Sequence, residues 1–248
     1  MPKHATIVAV NKHLHPVRLA TYTAHCGNDP FRALELYKWN LQLSASFQQV
    51  LAITEVALRN AIDEQLRTWN ASQHHRTIAG ATHSRDWLLD PARPLNSMTR
   101  DSRRTAEKHA NEAKDNRDPG HPRKSATVTH DDLLAQITFG VWTKLLPTQD
   151  TKDQNYRARQ ILWRQALRHA FPHRPANDPD GIILADRAGR LHGLRNRVSH
   201  MEPLLNVHIT ARHNDALRLL GAISPEVRDW CAGMNTVVEV GRRCPVAL

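Results

Sequence analysis

The residue types best suited to chemistry lie in one run, Leu194-Arg195-Asn196-Arg197-Val198-Ser199-His200, followed by Met201-Glu202-Pro203. On a helix Asn196 and His200 are four positions apart, so the carboxamide sits one turn below the imidazole, where a hydrogen bond would fix the ring. Arg195 is about 140° around the helix from His200, yet its long guanidinium can sweep to the same phosphate. Pro203 should end the helix nearby, leaving His200 in the last turn or just beyond, at the negative end of the helix dipole. This set suits metal-independent RNA cleavage, in which a 2′-hydroxyl attacks the adjacent phosphorus. That reaction needs a proton acceptor, a proton donor and positive charge near the phosphorane. His200 would serve the proton transfers and Arg195 the charge. One histidine cannot easily act on both sides of an in-line displacement, so a second copy from a symmetric partner chain is the natural solution.

Other chemistries find less support. Sixteen histidines invite a metal, but there is no His-Glu-x-x-His. His13-Leu14-His15, His74-His75 and the histidines of 169–173 lack carboxylate or thiolate partners at recognisable spacing, so no metal and no cofactor is expected. Phosphate-cradling glycine strings are absent. Ser199 points about 100° away from His200 on a helix and has no nucleophile elbow around it, so it packs or caps.

The elements that must position the run read as all-α, a single domain over 1–248 with a polar insertion at 70–127. Asp29 as N-cap and Pro30 inside it open an apolar-periodic segment, 29–69, that is one very long helix or two with a bend near Ser44 to Ser46. A capping-box-like Thr129-His130-Asp131-Asp132 starts a second helix running to Pro147. Further helices are expected at 153–170, 179–199, 210–221 and from Ser224-Pro225-Glu226 to about Val240. The insertion reads as a charged helix over about 96–117 flanked by loops, suited by charge alone to substrate or partner recognition.

With 34 Lys+Arg against 24 Asp+Glu, the 248-residue chain carries a formal charge of +10, which favours a polyanionic partner. Arginine outnumbers lysine 26 to 8; that bias suits bidentate phosphate binding, and a GC-rich genome would produce it equally. A basic stretch at 152–174, with Tyr156 and Trp163 inside it, reads as an RNA-backbone track or as a solvated helix face over a buried Trp163. Three scattered cysteines give no disulfide framework. No window approaches the ~18 apolar residues of a spanning helix, and the apolar run near the N-terminus covers only 5–10. A cytoplasmic protein without a membrane partner is the expectation.

The stretch from Leu194 to Pro203 resembles the Arg-Asn-x-x-x-His signature of HEPN-domain ribonucleases. Its trailing His200-Met201-Glu202-Pro203 is similar to the His-x-Glu-Pro of the Abi-like (abortive infection) branch. Residues 33–62 resemble that family's long N-terminal helix, and Thr138-Phe139-Gly140-Val141-Trp142 resembles its central Phe-Gly-x-Trp helix. The resemblance implies a HEPN-like helical bundle and a homodimer that brings two signatures to one cleft. It also implies a metal-independent endoribonuclease acting as a toxin or anti-phage effector, restrained by a protein or a structured small RNA as antitoxin. Arg195, Asn196 and His200 would be the catalytic residues, with Arg197 and Glu202 in support. Met201 departs from the pattern, since Abi-like chains often carry a second histidine there.

Leu58-Arg59-Asn60 echoes Leu194-Arg195-Asn196, but Glu64 occupies the slot of His200, so it is no second motif. Glu55 and Arg59, four apart, read as a helix-surface pair; the resemblance supports the alternative that Glu55, Arg59 and Asn60 face the cleft, positioning Arg195 or contacting RNA. A different class of function stays open, a non-catalytic RNA-binding assembly module on the same bundle.

Overall fold

A computed structural model describes residues 4–246, and the protein is all-helical. Asp29 caps the longest helix, α3 (Pro30–Ala71), its Oδ1 accepting from the N–H groups of Phe31 at 2.8 Å and Arg32 at 3.2 Å. The helix is unbroken over 42 residues. Of the two alternatives the chain takes the single long helix; Ser44 and Ser46 lie inside it, both buried, with the Ser46 hydroxyl donating back to the Gln42 carbonyl at 3.0 Å. Leu36, Leu43, Phe47, Val50, Leu51, Leu58, Ile62 and Leu66 give α3 its buried stripe.

Two helices that the sequence analysis did not assign precede it, α1 (His4–Leu14) and α2 (Pro16–His25), and they add Ile7, Leu19 and Tyr22 to the core. The insertion helix α4 (Leu95–Asp115) is present, with Leu95, Thr99, Ala106 and Ala110 buried. It is therefore more than a charged appendage: Trp87, Leu88 and Ala92 ahead of it belong to the same core cluster as α3. Asp63 of α3 ties the insertion down from below, accepting from Trp87 Nε1 at 2.7 Å and lying 2.9 Å from His130 Nε2.

The helix expected from Thr129 to Pro147 is two, α5 (His130–Leu134) and α6 (Phe139–Leu145). Thr129 does form the expected capping box with Asp132. The break falls at 135–138, where Thr138 is extended (φ -80°, ψ 158°) and Ile137 and Phe139 on either side of it are both buried. The 153–170 segment resolves into α7 (Tyr156–Gln165) and a 3-10 turn, Leu167–Ala170. α8 (Ile182–Ser199), α9 (Ile209–Ile223), α10 (Pro225–Met234) and α11 (Val237–Arg242) complete the chain; Asn235 and Thr236 break the single helix expected from Ser224 to Val240.

Candidate functional site

α8 carries the Arg195-to-His200 run, and both of its ends are fixed by groups outside the helix. At the start, buried Asp178 accepts from the N–H groups of Ile183 and Leu184, each at 3.0 Å, a remote N-cap that begins the helix at Ile182 rather than Pro179. Gly181 has a left-handed φ of 72°, and a Cβ there would overlap the Trp163 indole. Trp163 is buried and donates Nε1 to the Pro179 carbonyl at 3.0 Å, so it is a structural residue, not a stacking platform.

Leu184, Ala188, Leu191, Leu194 and Val198 bury one stripe of α8. That stripe leaves Arg195, Asn196 and Arg197 half-buried and His200 exposed. The helix ends in a Schellman turn: the Met201 N–H donates to the Val198 carbonyl at 3.1 Å and the Glu202 N–H to that of Arg197 at 2.9 Å, with Met201 at φ 54°. The His200 N–H still closes the last helical bond, to the Asn196 carbonyl at 3.0 Å. Its imidazole has no hydrogen-bond partner among the described residues and faces solvent.

The chain beyond His200 is pinned twice. Buried Asn40 of α3 accepts the Leu204 N–H at 2.7 Å, and the Arg197 guanidinium donates to the Pro203 carbonyl while its Nε lies 3.6 Å from Glu202. Arg197 and Glu202, expected in support of the site, thus lie in the turn that carries His200.

Arg195 lies against α3, its Nε 3.8 Å from Glu55 Oε2. Glu55 therefore pairs across the helix interface with the arginine of the run rather than with Arg59. Arg59 instead donates Nε to Asn60 Oδ1 at 3.2 Å on the surface of α3, and among the described residues no hydrogen bond or ion pair joins that pair to Arg195, Asn196 or His200.

The expected Asn196–His200 hydrogen bond is replaced by one in the opposite direction along the helix, with Asn196 Nδ2 3.3 Å from His192 Nε2. His192 was missed by the sequence reading, although His192, Asn196 and His200 recur at four-residue intervals on one face. The imidazole of His192 stands edge-on to Phe139, with ring centroids 5.9 Å apart, and lies over Gly140, where a Cβ would come within 2.9 Å of its Nε2. Thr138-Phe139-Gly140 thus builds a cradle for His192: Phe139 walls it and Gly140 makes room. Burial, followed by the charges of Arg195 and Lys144, holds the His192 pKa below its ordinary value, with Glu55 opposing.

The basic tracts divide in the same way. Arg103 of α4 is turned inward, donating to Thr99, Asn96 and the Leu88 carbonyl, and Arg159 pairs with Asp153 at 3.1 Å. Arg157, Arg164 and Arg168 remain exposed. Among the described residues one metal-compatible side-chain group occurs, at His75, His83 and Asp90, apart from the Arg195 run. Comparison with known proteins adds nothing to this geometry: no family model, curated protein or solved structure matches the chain.

Proposed function

We propose that the protein is a HEPN-type, Abi-like endoribonuclease that cleaves RNA without a metal and acts as a toxin or anti-phage effector. The observation that carries the reading is the end of α8. There a solvent-facing imidazole is held by a doubly pinned turn, and one turn earlier a half-buried guanidinium is oriented by Glu55 of the neighbouring helix. In this reading Arg195 binds the scissile phosphate and offsets the charge of the phosphorane, and His200 moves a proton to or from a ribose oxygen. A second His200 from a symmetric copy serves the opposite side of the displacement, so the active form is a homodimer. The net charge of +10 favours the polyanionic substrate. A structured RNA or a protein covering the two helix ends would restrain it.

The products are a 2′,3′-cyclic phosphate and a 5′-hydroxyl. Purified protein incubated with total RNA in EDTA should release them, and His200→Ala should lose at least about 100-fold in rate, the usual contribution of a positioned acid or base, with its helical circular dichroism unchanged. Undiminished cleavage by that variant, or activity that needs magnesium, overturns the assignment.

One observation favours the second reading, a non-catalytic RNA-binding module. Asn196 is turned to His192 and leaves the His200 ring without an orienting partner in the single chain. Steeply salt-dependent RNA binding with no fragments at any protein concentration would establish that reading instead.

A further inference from the structure

Beyond the end of α3 the chain folds into a small clip. His74 bridges antiparallel to Thr82, the His75 N–H donates to the Ala81 carbonyl at 2.8 Å and the His83 N–H to that of Gln73 at 2.9 Å. Gly80, at φ 75°, makes the reversal. In this register His75 and His83 are diagonal neighbours on one face of the clip. Their rings lie 4.4 Å apart at an interplanar angle of 31°. Asp90 arrives from the following turn, and its position is set by buried Asn70 at the end of α3, whose Nδ2 donates to the carbonyls of Asp90 at 2.8 Å and Ser84 at 2.6 Å.

We propose that His75, His83 and Asp90 form a binding site for a zinc-class divalent cation that locks the 73–90 segment to the end of α3. One ligand atom from each residue lies within 4.8 Å of the other two. His83 Nδ1 is 2.9 Å and His75 Nε2 3.8 Å from the same oxygen, Asp90 Oδ1. In a tetrahedral site with bonds of about 2.0–2.1 Å, ligand atoms stand roughly 3.3 Å apart. Admitting the ion therefore changes each nitrogen's distance to Asp90 Oδ1 by only about 0.5 Å, opening one contact and closing the other, with the two ring nitrogens already within 4.8 Å of each other.

The surrounding groups already assign the lone pairs. Thr77 Oγ1 sits 3.0 Å from His75 Nδ1, leaving Nε2 to face Asp90. The Ser84 N–H occupies Asp90 Oδ2 at 2.8 Å, leaving Oδ1 as a monodentate ligand. Two imidazoles and one carboxylate select zinc over magnesium or calcium, which take oxygen ligands, and a water would complete the tetrahedron on the open side. The carboxylate partner that the sequence did not reveal for His74-His75 is thus supplied from 15 residues further on, through the fold. Asn70, which anchors the Asp90 turn, stands roughly 22 Å along α3 from Glu55, 15 residues at 1.5 Å each, which sets the clip apart from the Arg195 run.

Full-length protein stripped with a chelator and titrated with zinc against a chromophoric competitor should take up one ion per chain. His75→Ala and His83→Ala should each weaken uptake more than about 100-fold. The exposed Thr77→Ala, which cannot disturb the core, should weaken it by about 10–100-fold, as loss of an outer-shell partner does. Cobalt in place of zinc should give the intense visible absorption of tetrahedral coordination, absent from the His75→Ala/His83→Ala double variant. A His169→Ala/His173→Ala control should bind as the unaltered protein does. The proposal is overturned if the stripped protein takes up no ion, or if the His75→Ala/His83→Ala variant binds as tightly as its parent. Neither result depends on RNA cleavage.

Discussion

Gly140→Ala adds one methyl group and tests whether the Phe139-Gly140 cradle sets the geometry of α8. The new Cβ would stand 2.9 Å from His192 Nε2 and 3.1 Å from Cε1, so the ring must retreat by about 0.5 Å to regain ordinary contact. Phe139 walls the ring on one side and Asn196 Nδ2, at 3.3 Å, lies on another, so any retreat either stretches the Asn196 bond out of range or drives the ring onto it. The global cost is small, because alanine gains about 0.5–1 kcal/mol over glycine in a helix, and an off-rotamer imidazole costs about as much. The melting temperature should therefore move by no more than about 4 °C. NMR should show displaced His192 ring and Asn196 carboxamide resonances. In a His192→Ala background the same substitution should leave the Asn196 resonance where that background puts it. Unmoved His192 and Asn196 signals in Gly140→Ala would refute the cradle, and a melting temperature lowered by more than about 8 °C would show that Gly140 serves the core instead.

Met201→Gly should stabilise the protein by about 0.5–1 kcal/mol in urea unfolding, because Met201 holds the left-handed position of the Schellman turn at φ 54°, where a Cβ costs more than glycine's extra unfolded freedom; unchanged or lower stability would contradict this. Asn70→Leu should cost about 3 kcal/mol or more by the same measurement, since the Ser84 and Asp90 carbonyls and the Ala92 N–H each lose a buried partner; a loss under about 1 kcal/mol would mean that the loop is held elsewhere. Stability should decline as pH falls below about 6.5. His192 and His213 both have folded pKa values lowered from 6.5 by burial, so below that pH the unfolded chain takes up protons the fold refuses. His213→Gln should flatten the decline, and a stability profile identical to the parent's between pH 6.5 and pH 5 would remove His213 from the account.

What could be read from the sequence was what neighbouring residues encode. Asp29-Pro30, Thr129 with Asp132 and Ser224-Pro225 each start a helix where expected, because a cap and the N–H groups it satisfies lie within three residues of each other. Leu194 to Pro203 gave the last turn of α8 in the same way. Contacts closed by the fold left no such pattern. Gly140 and His192 meet across 52 positions, Glu55 finds Arg195 across 140, and Asp90 reaches His75 only because Asn70 anchors its loop. The break at 135–138 was hidden because Ile137 and Phe139 each fit a helical stripe alone, and only the core shows that both are inside. The direction of the Asn196 side chain was decided by a competing partner, His192, at the same four-residue spacing.

The unbroken α3 links the Arg195 run and the clip by their rotational phase. Glu55 addresses α8 from the middle of this helix, and Asn70 anchors the loop at its end. Inserting or deleting one residue between them would turn one station by about 100° relative to the other, while seven residues would restore the phase to within about 20°. Length changes compatible with both stations in this segment should therefore come in pairs of turns.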